Sequence, residues 1–225
     1  MKKILDILFP KICINCNKEG SFLCDDCLSL IEVNHFQYCL CEKLEKKNKC
    51  SCCKKRNLDK VFSATSFENK IVQKAIHKLK YSYIKELSIP LAYLIIKHLQ
   101  VIDCQISNDF LLVPIPLSNK EKRLRGFNQS EEIAKIISEA TKIPLFDCVK
   151  KIKETKPQRK ENIKDAFLIT RDVSNKKIIL IDDVYATGST MEEVARKLKE
   201  SKASVVWGVT VAREISWPLR LFCIE

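Results

Sequence analysis

The sequence predicts an α/β fold: a mostly parallel, twisted sheet flanked by helices on both faces, preceded by a small cysteine-rich module. Three observations predict it. Nine of the twelve cysteines lie between Cys13 and Cys53. From residue 59 onward, short apolar runs alternate with amphipathic stretches at helical spacing. Those apolar runs lack the polar alternation of a half-solvated sheet, as strands covered on both faces do. The expected organisation is a metal-binding module over residues 1–57 and an α/β domain over 58–225.

The first cysteine cluster is Cys13-x2-Cys16, seven residues, then Cys24-x2-Cys27. Each C-x2-C pair presents two sulfurs to one ion, and two pairs complete the tetrahedral four-thiolate shell that Zn²⁺ takes in structural sites. Gly20 falls in the spacer, where the chain must reverse. The second cluster is less regular. Cys50-x2-Cys53 is a standard knuckle, Cys39-x-Cys41 is one residue short, and Cys52 is spare. It is read as a second zinc site from Cys39, Cys41, Cys50 and Cys53, with ligand exchange between the clusters an open alternative. A full cysteine shell leaves no position for a reactive water, so the expected role of both sites is structural.

In the second part, VFSATSFE (61–68) reads as a strand and KIVQKAIHKLKY (70–81) as an amphipathic helix. SIPLAYLIIKHLQ (88–100) reads as a second helix with Ser88 as its N-cap. FLLVPIP (110–116) is a short buried strand stopped by its prolines. Asn128 and Gln129 open the helix QSEEIAKIISEATK (129–142), with Ile133, Ile136 and Ile137 on one side. KKIILIDD (176–183) is a continuous apolar strand, STMEEVARKLKES (189–201) a helix beginning near Thr190, and ASVVWGVTVA (203–212) another strand. His77 and His98 are expected to be partly exposed packing residues rather than ligands.

The stretch IILIDDVYATGST (178–190) carries the chemistry. A strand delivers Asp182 and Asp183 to the carboxyl edge of the sheet, where ligands of open α/β sheets sit. Ala186, Thr187, Gly188, Ser189 and Thr190 then wrap a helix N-terminus, whose free N–H groups and dipole favour a phosphate. Two carboxylates beside a phosphate cradle can accept hydrogen bonds from vicinal hydroxyls, and phosphate plus vicinal diol describes a ribose 5-phosphate. The four glycines, at 20, 126, 188 and 208, exclude both G-x-x-x-x-G-K-[ST] and G-x-G-x-x-G.

This segment resembles the phosphoribosyl-diphosphate (PRPP) motif of type I phosphoribosyltransferases. The wider chain resembles the competence protein ComF family, through the double C-x2-C head, AIHKLKY (75–81), LVPIPL (112–117), RLRGFNQ (123–129) and KPQRKENIKDAF (156–167). The resemblance implies a type I phosphoribosyltransferase-like fold in which Asp182 and Asp183 hold the ribose hydroxyls and Ala186–Thr190 the 5-phosphate. It implies a pyrophosphate-approaching turn after FLLVPIP, and Mg²⁺ bridging substrate oxygens. It also implies a role in DNA uptake and natural transformation, with single-stranded DNA and a competence helicase as partners. Ala186 stands where purine-salvage relatives carry an acid, which argues against 6-oxopurine salvage. No acceptor-binding residue stands out, so a metabolic phosphoribosyltransferase and a PRPP-sensing adaptor remain competing readings.

Formal net charge is +12. Lysine outnumbers arginine 32 to 8 and isoleucine appears 26 times, a bias expected of an AT-rich genome. Arginine forks kept against that bias draw attention: Arg123 and Arg125 in KEKRLRG, and Arg159 in KKIKETKPQRKENIK. Two functions are expected to compete for the second of these segments, clamping pyrophosphate or tracking a nucleic-acid backbone, with a solvated charged loop as the plain alternative. In MKKILDILFP, Asp6 and Pro10 interrupt any secretory signal, and IPLAYLII (89–96) is far short of the roughly 20 residues of a membrane span. A cytoplasmic location is expected.

Overall fold

The computed structural model describes residues 10–36, 56–153 and 163–214. After a short helix α1 (Asp25–Ser29), the body runs β1 (Lys60–Ser66), α2 (Lys70–Tyr81) and α3 (Ser88–Val101). It continues through β2 (Phe110–Pro114), α4 (Asn119–Arg125) and α5 (Gln129–Thr141). The hairpin β3 (Val149–Lys151) and β4 (Phe167–Ile169) follows, then β5 (Lys177–Tyr185), α6 (Ser189–Glu200) and β6 (Val205–Arg213).

Four strands form a parallel sheet in the order β1–β6–β5–β2. Side chains from alternate strand positions feed two cores, one on each face. Phe62, Ile179, Ile181 and Val209 pack with α2, α3 and α5, while Val61, Leu180 and Val206 pack with α6 and the hairpin. Sheet burial on both sides is what the uninterrupted apolar runs require. A buried polar pair between β1 and β6, Ser63 Oγ and Thr210 Oγ1, is satisfied by a mutual hydrogen bond of 2.8 Å.

Helix starts follow local chemistry. Asn69 caps α2 by accepting from the N–H groups of Ile71 and Val72, and Asn128 caps α5 through Ser130 N–H. Ser88 does not cap α3. A 3₁₀ turn at Lys85–Leu87 leads directly into the helix, so Leu87 already has helical torsions and no extended residue is available to cap. Ser88 Oγ instead donates to Lys85 O at 2.6 Å. The basic segment KEKRLRG contributes most of α4, which has a reciprocal capping box between Ser118 and Glu121 and ends at Gly126 with φ +71°. The antiparallel hairpin β3–β4 was also invisible to periodicity, because three-residue strands carry too few alternations.

The cysteine-bearing head packs onto the body. Leu23, Ile31 and Val33 share the core of the α2–α3–α5 layer. Asn34 lies along the outer edge of β1, its N–H and side-chain amide donating to Ala64 O and Ser63 O, both at 2.8 Å. An otherwise open sheet edge is thereby covered. His98 is fully buried rather than partly exposed, because this docking closes over it. Its Nδ1 lies 2.7 Å from Asn34 O, and burial pulls its pKa below the ordinary 6.5. No helix among the described residues is long and apolar enough to cross a membrane.

Candidate ligand cleft and metal site

The position of β5 builds the cleft. Its pairing with β2 ends at Ile181, opposite Pro114, with one further bond from Ile115 N–H to Ile181 O. β5 then runs on to Tyr185, so the segment from Asp182 is uncovered on that side. Asn128 Nδ2 donates to Ile115 O at 2.9 Å and fixes the turn after β2 beside it. A cleft of about 380 Å³ opens there.

Asp182, Asp183 and all five residues Ala186–Thr190 line this cleft, as do Pro116 and Leu117 of the turn after β2. Asp182 Oδ1 accepts from Ser130 Oγ at 2.8 Å and from Asp183 N–H at 2.9 Å. Asp183 is buried, and its Oδ2 lies 2.6 Å from Lys80 Nζ at the end of α2. Burial, reinforced by the neighbouring Asp183 carboxylate, pushes Asp182 up to about 7. Burial also disfavours the Lys80 ammonium, but the attraction of Asp183 outweighs it and raises the pKa of Lys80.

The loop that follows leads into the N-terminus of α6 at the edge of the cleft. Gly188 caps α6 in the left-handed region, φ +69°. A Cβ there would collide with the Tyr185 side chain, so the position favours glycine both by torsion and by space. The hydroxyls of Thr187 and Ser189 are 2.8 Å apart and exposed. Ala186 is exposed too but offers no side-chain donor. The helix opens at Ser189, one residue before the expected Thr190.

The structure separates the two arginines. On α4, positions two apart point in widely different directions. Arg125 lines the cleft and donates to Gln129 Oε1 at 3.1 Å. Arg123 is exposed on the outer side. Arg159 lies outside the described residues. Lys80, Ser130 and Lys151 are cleft residues that sequence reasoning missed. Lys80 and Ser130 fall within or beside quoted motifs, yet nothing in a lysine-rich helix distinguishes Lys80 from Lys78.

In the head, the thiols of Cys13, Cys16, Cys24 and Cys27 all lie within 4.8 Å of one another. A zinc tetrahedron with Zn–S of about 2.3 Å has edges of roughly 3.8 Å, and Cys16 Sγ and Cys24 Sγ are 3.5 Å apart. The donor set fits a cation. Burial raises the Cys13 thiol, but backbone N–H groups of Cys16, Cys24 and Asn15 outweigh it and lower it to about 6. Cys27 accepts from Asn15, which lowers its pKa, yet burial and the other thiols push it up to about 12. Four thiolates crowd together only when a positive ion neutralises them, so this cluster can hold a metal such as zinc. Cys39, Cys41, Cys50 and Cys53 lie outside the described residues.

Residues 125–221 match a family model described as a phosphoribosyl transferase domain. Over 107 residues the chain is 36% identical to competence protein ComFC of Bacillus subtilis, covering 46% of this chain and 45% of that protein. It is 31% identical over 114 residues to competence protein F of Haemophilus influenzae, covering 45% of this chain and 50% of the relative. It is 30% identical over 143 residues to the DNA utilization protein YhgH of Escherichia coli, covering 58% and 62% respectively. The chain thus spans about half the length of the first two curated relatives and less than two thirds of the third. Among solved structures, a purine phosphoribosyltransferase from Pyrococcus horikoshii aligns with 20% identity and a TM-score of 0.31, covering 55% of this chain and 70% of that one. The acid pair and the glycine-capped loop lie within the segment that matches the phosphoribosyl transferase domain, and over about half its length the chain is similar to two competence proteins and a DNA utilization protein.

Proposed function

We propose that the cleft binds PRPP, and that the protein serves DNA uptake by handling incoming single-stranded DNA in the cytoplasm. The observation that carries the PRPP reading is the joining of the acid pair and the glycine-capped loop in one cleft at the end of β5. Asp182 and Asp183 accept the ribose hydroxyls, while backbone N–H groups of the loop and the hydroxyls of Thr187, Ser189 and Thr190 take the 5-phosphate. The turn at Pro116 and Leu117, with Arg125 opposite, faces the pyrophosphate. Two carboxylates against one ammonium leave this end of the cleft poor in positive charge. That would suit a pyrophosphate that brings Mg²⁺ with it, since the cation would offset the negative charge there. Mg²⁺ supplies charge neutralisation; the chain's own residues supply position.

The DNA reading draws on the names of the relatives, two of them competence proteins and one a DNA utilization protein. A backbone-tracking surface is available outside the cleft. Arg123 is exposed on α4, and Lys122 and Lys150 line a neighbouring groove of about 630 Å³ between α4 and the hairpin. Pro116, Leu117 and Lys151 line both the groove and the cleft, so the two ligands would share a wall.

Calorimetric titration of PRPP with and without Mg²⁺ tests the first half, with saturable binding that strengthens when Mg²⁺ is present. Single-strand binding that weakens linearly with the logarithm of salt concentration tests the second. No heat with PRPP under either condition contradicts the first half, and salt-independent or undetectable single-strand binding contradicts the second.

A further inference from the structure

Lys80 is a cleft residue that belongs to neither the acid pair nor the loop before α6. It projects from the last turn of α2, is mostly buried, and sits 2.6 Å from Asp183 Oδ2. A buried ammonium and a buried carboxylate are each costly alone and are kept where they serve each other. Asp183 continues the side-chain alternation of Ile179 and Ile181 into the α2 layer, so the pairing follows from the register of β5.

We propose that Lys80 is a positioning residue that fixes Asp183 by direct contact and favours the charged form of Asp182, and so holds the pair ready to accept ribose hydroxyls. The inference rests on the reading of the cleft as a PRPP site. Two adjacent carboxylates in a partly buried cleft repel each other, and protonating one relieves that repulsion. A protonated acid has lost an acceptor, and the diol contact weakens. Lys80 opposes this through direct contact with Asp183 and through its attraction for Asp182.

The other charged and polar groups facing the pair are few. From α5, the Ser130 hydroxyl stabilises the Asp182 carboxylate. From α4, Arg125 repels the Lys80 ammonium. Lys151 of the hairpin is committed to Glu121 at 3.0 Å. Glu214 also lines the cleft and adds negative charge. Lys80 is therefore the cation in direct contact with the acid pair among the described residues.

The alternative role for a cleft lysine is direct contact with pyrophosphate, and the two roles separate experimentally. Binding of ribose 5-phosphate and of inorganic pyrophosphate is measured for the wild type and Lys80→Gln across about pH 5 to 9. The variant is expected to move the midpoint of the ribose 5-phosphate profile up by about one unit or more, a loss of about tenfold near neutrality. Much of that affinity returns under alkaline conditions, and pyrophosphate binding changes little. An unshifted ribose 5-phosphate profile, or a loss confined to pyrophosphate, overturns the proposal. Lys80→Met, which keeps the apolar stem, carries the same test if the glutamine variant does not fold. If the wild type binds neither ligand, the PRPP reading itself fails. Lys80 is then judged by carbon-13 titration of the Asp182 carboxyl, where an upward shift in the variant supports the proposal and coincident curves overturn it.

Discussion

Gly188 shows how much of the site rests on one backbone position. Its φ of +69° costs an L-residue about 1–2 kcal/mol, and the Tyr185 hydroxyl occupies the space a Cβ would need. Tyr185 is itself held by packing, buried beneath the Arg213 guanidinium at 4.8 Å from its ring centroid. Gly188→Ala should lower the thermal midpoint by several degrees, at roughly 2–4 °C per kcal/mol for a chain of this size. It should also weaken PRPP binding about tenfold or more, because the N–H groups of the loop are displaced. A variant with wild-type midpoint and affinity would show that the loop has room to relax. At this scale the sequence was informative about residue type and silent about partners. Asp182 and Asp183 were legible from their place after an apolar run. The Ser130 and Lys80 contacts were not, since each joins residues at least 50 positions apart.

At the scale of elements, long periodic segments were readable and short ones were not. α2, α5, α6, β5 and β6 follow from spacing because each repeats its pattern over nine or more residues. α4 has seven residues, and its dense charge drew attention away from its caps. Yet Ser118-x-x-Glu121 and Gly126 were present as start and stop signals, and they could have revealed it. The helix matters because it divides Arg123 from Arg125. Arg125→Ala should weaken PRPP binding and leave the salt dependence of single-strand binding intact. Arg123→Ala should do the reverse, reducing the single-strand salt slope by about 0.7 for one lost phosphate contact. Equal effects of both substitutions on both ligands would mean that the helix does not partition them.

On the scale of the whole molecule, the head is part of the structure that shapes the cleft's supporting layer. Its apolar residues join the core beneath α2 and α3, Asn34 seals β1, and Lys11 pairs with Glu86 at 2.8 Å. Sequence predicted the cysteine cluster but not this docking, because edge pairing by one asparagine leaves no periodic trace. The docking also buries His98, whose lowered pKa makes it favour the neutral ring in the folded state. The sign is that of a group binding fewer protons when folded: its contribution is intact above pH 6.5 and declines as pH falls below that value. α2 thus has the head on one side of its layer and the acid pair at its end, which places Lys80 on a well-supported element.

The central claim, that Asp182 and Asp183 hold the diol of a phosphoribosyl ligand, is tested most directly by titrating PRPP into the double variant Asp182→Ala/Asp183→Ala. Removing two carboxylates from a cleft for an anion relieves repulsion, so phosphate affinity alone should rise or stay level. Only a lost diol contact makes PRPP affinity fall. The account predicts that PRPP binding disappears while the circular dichroism spectrum and cooperative unfolding persist. Unchanged PRPP affinity in a folded double variant would contradict it.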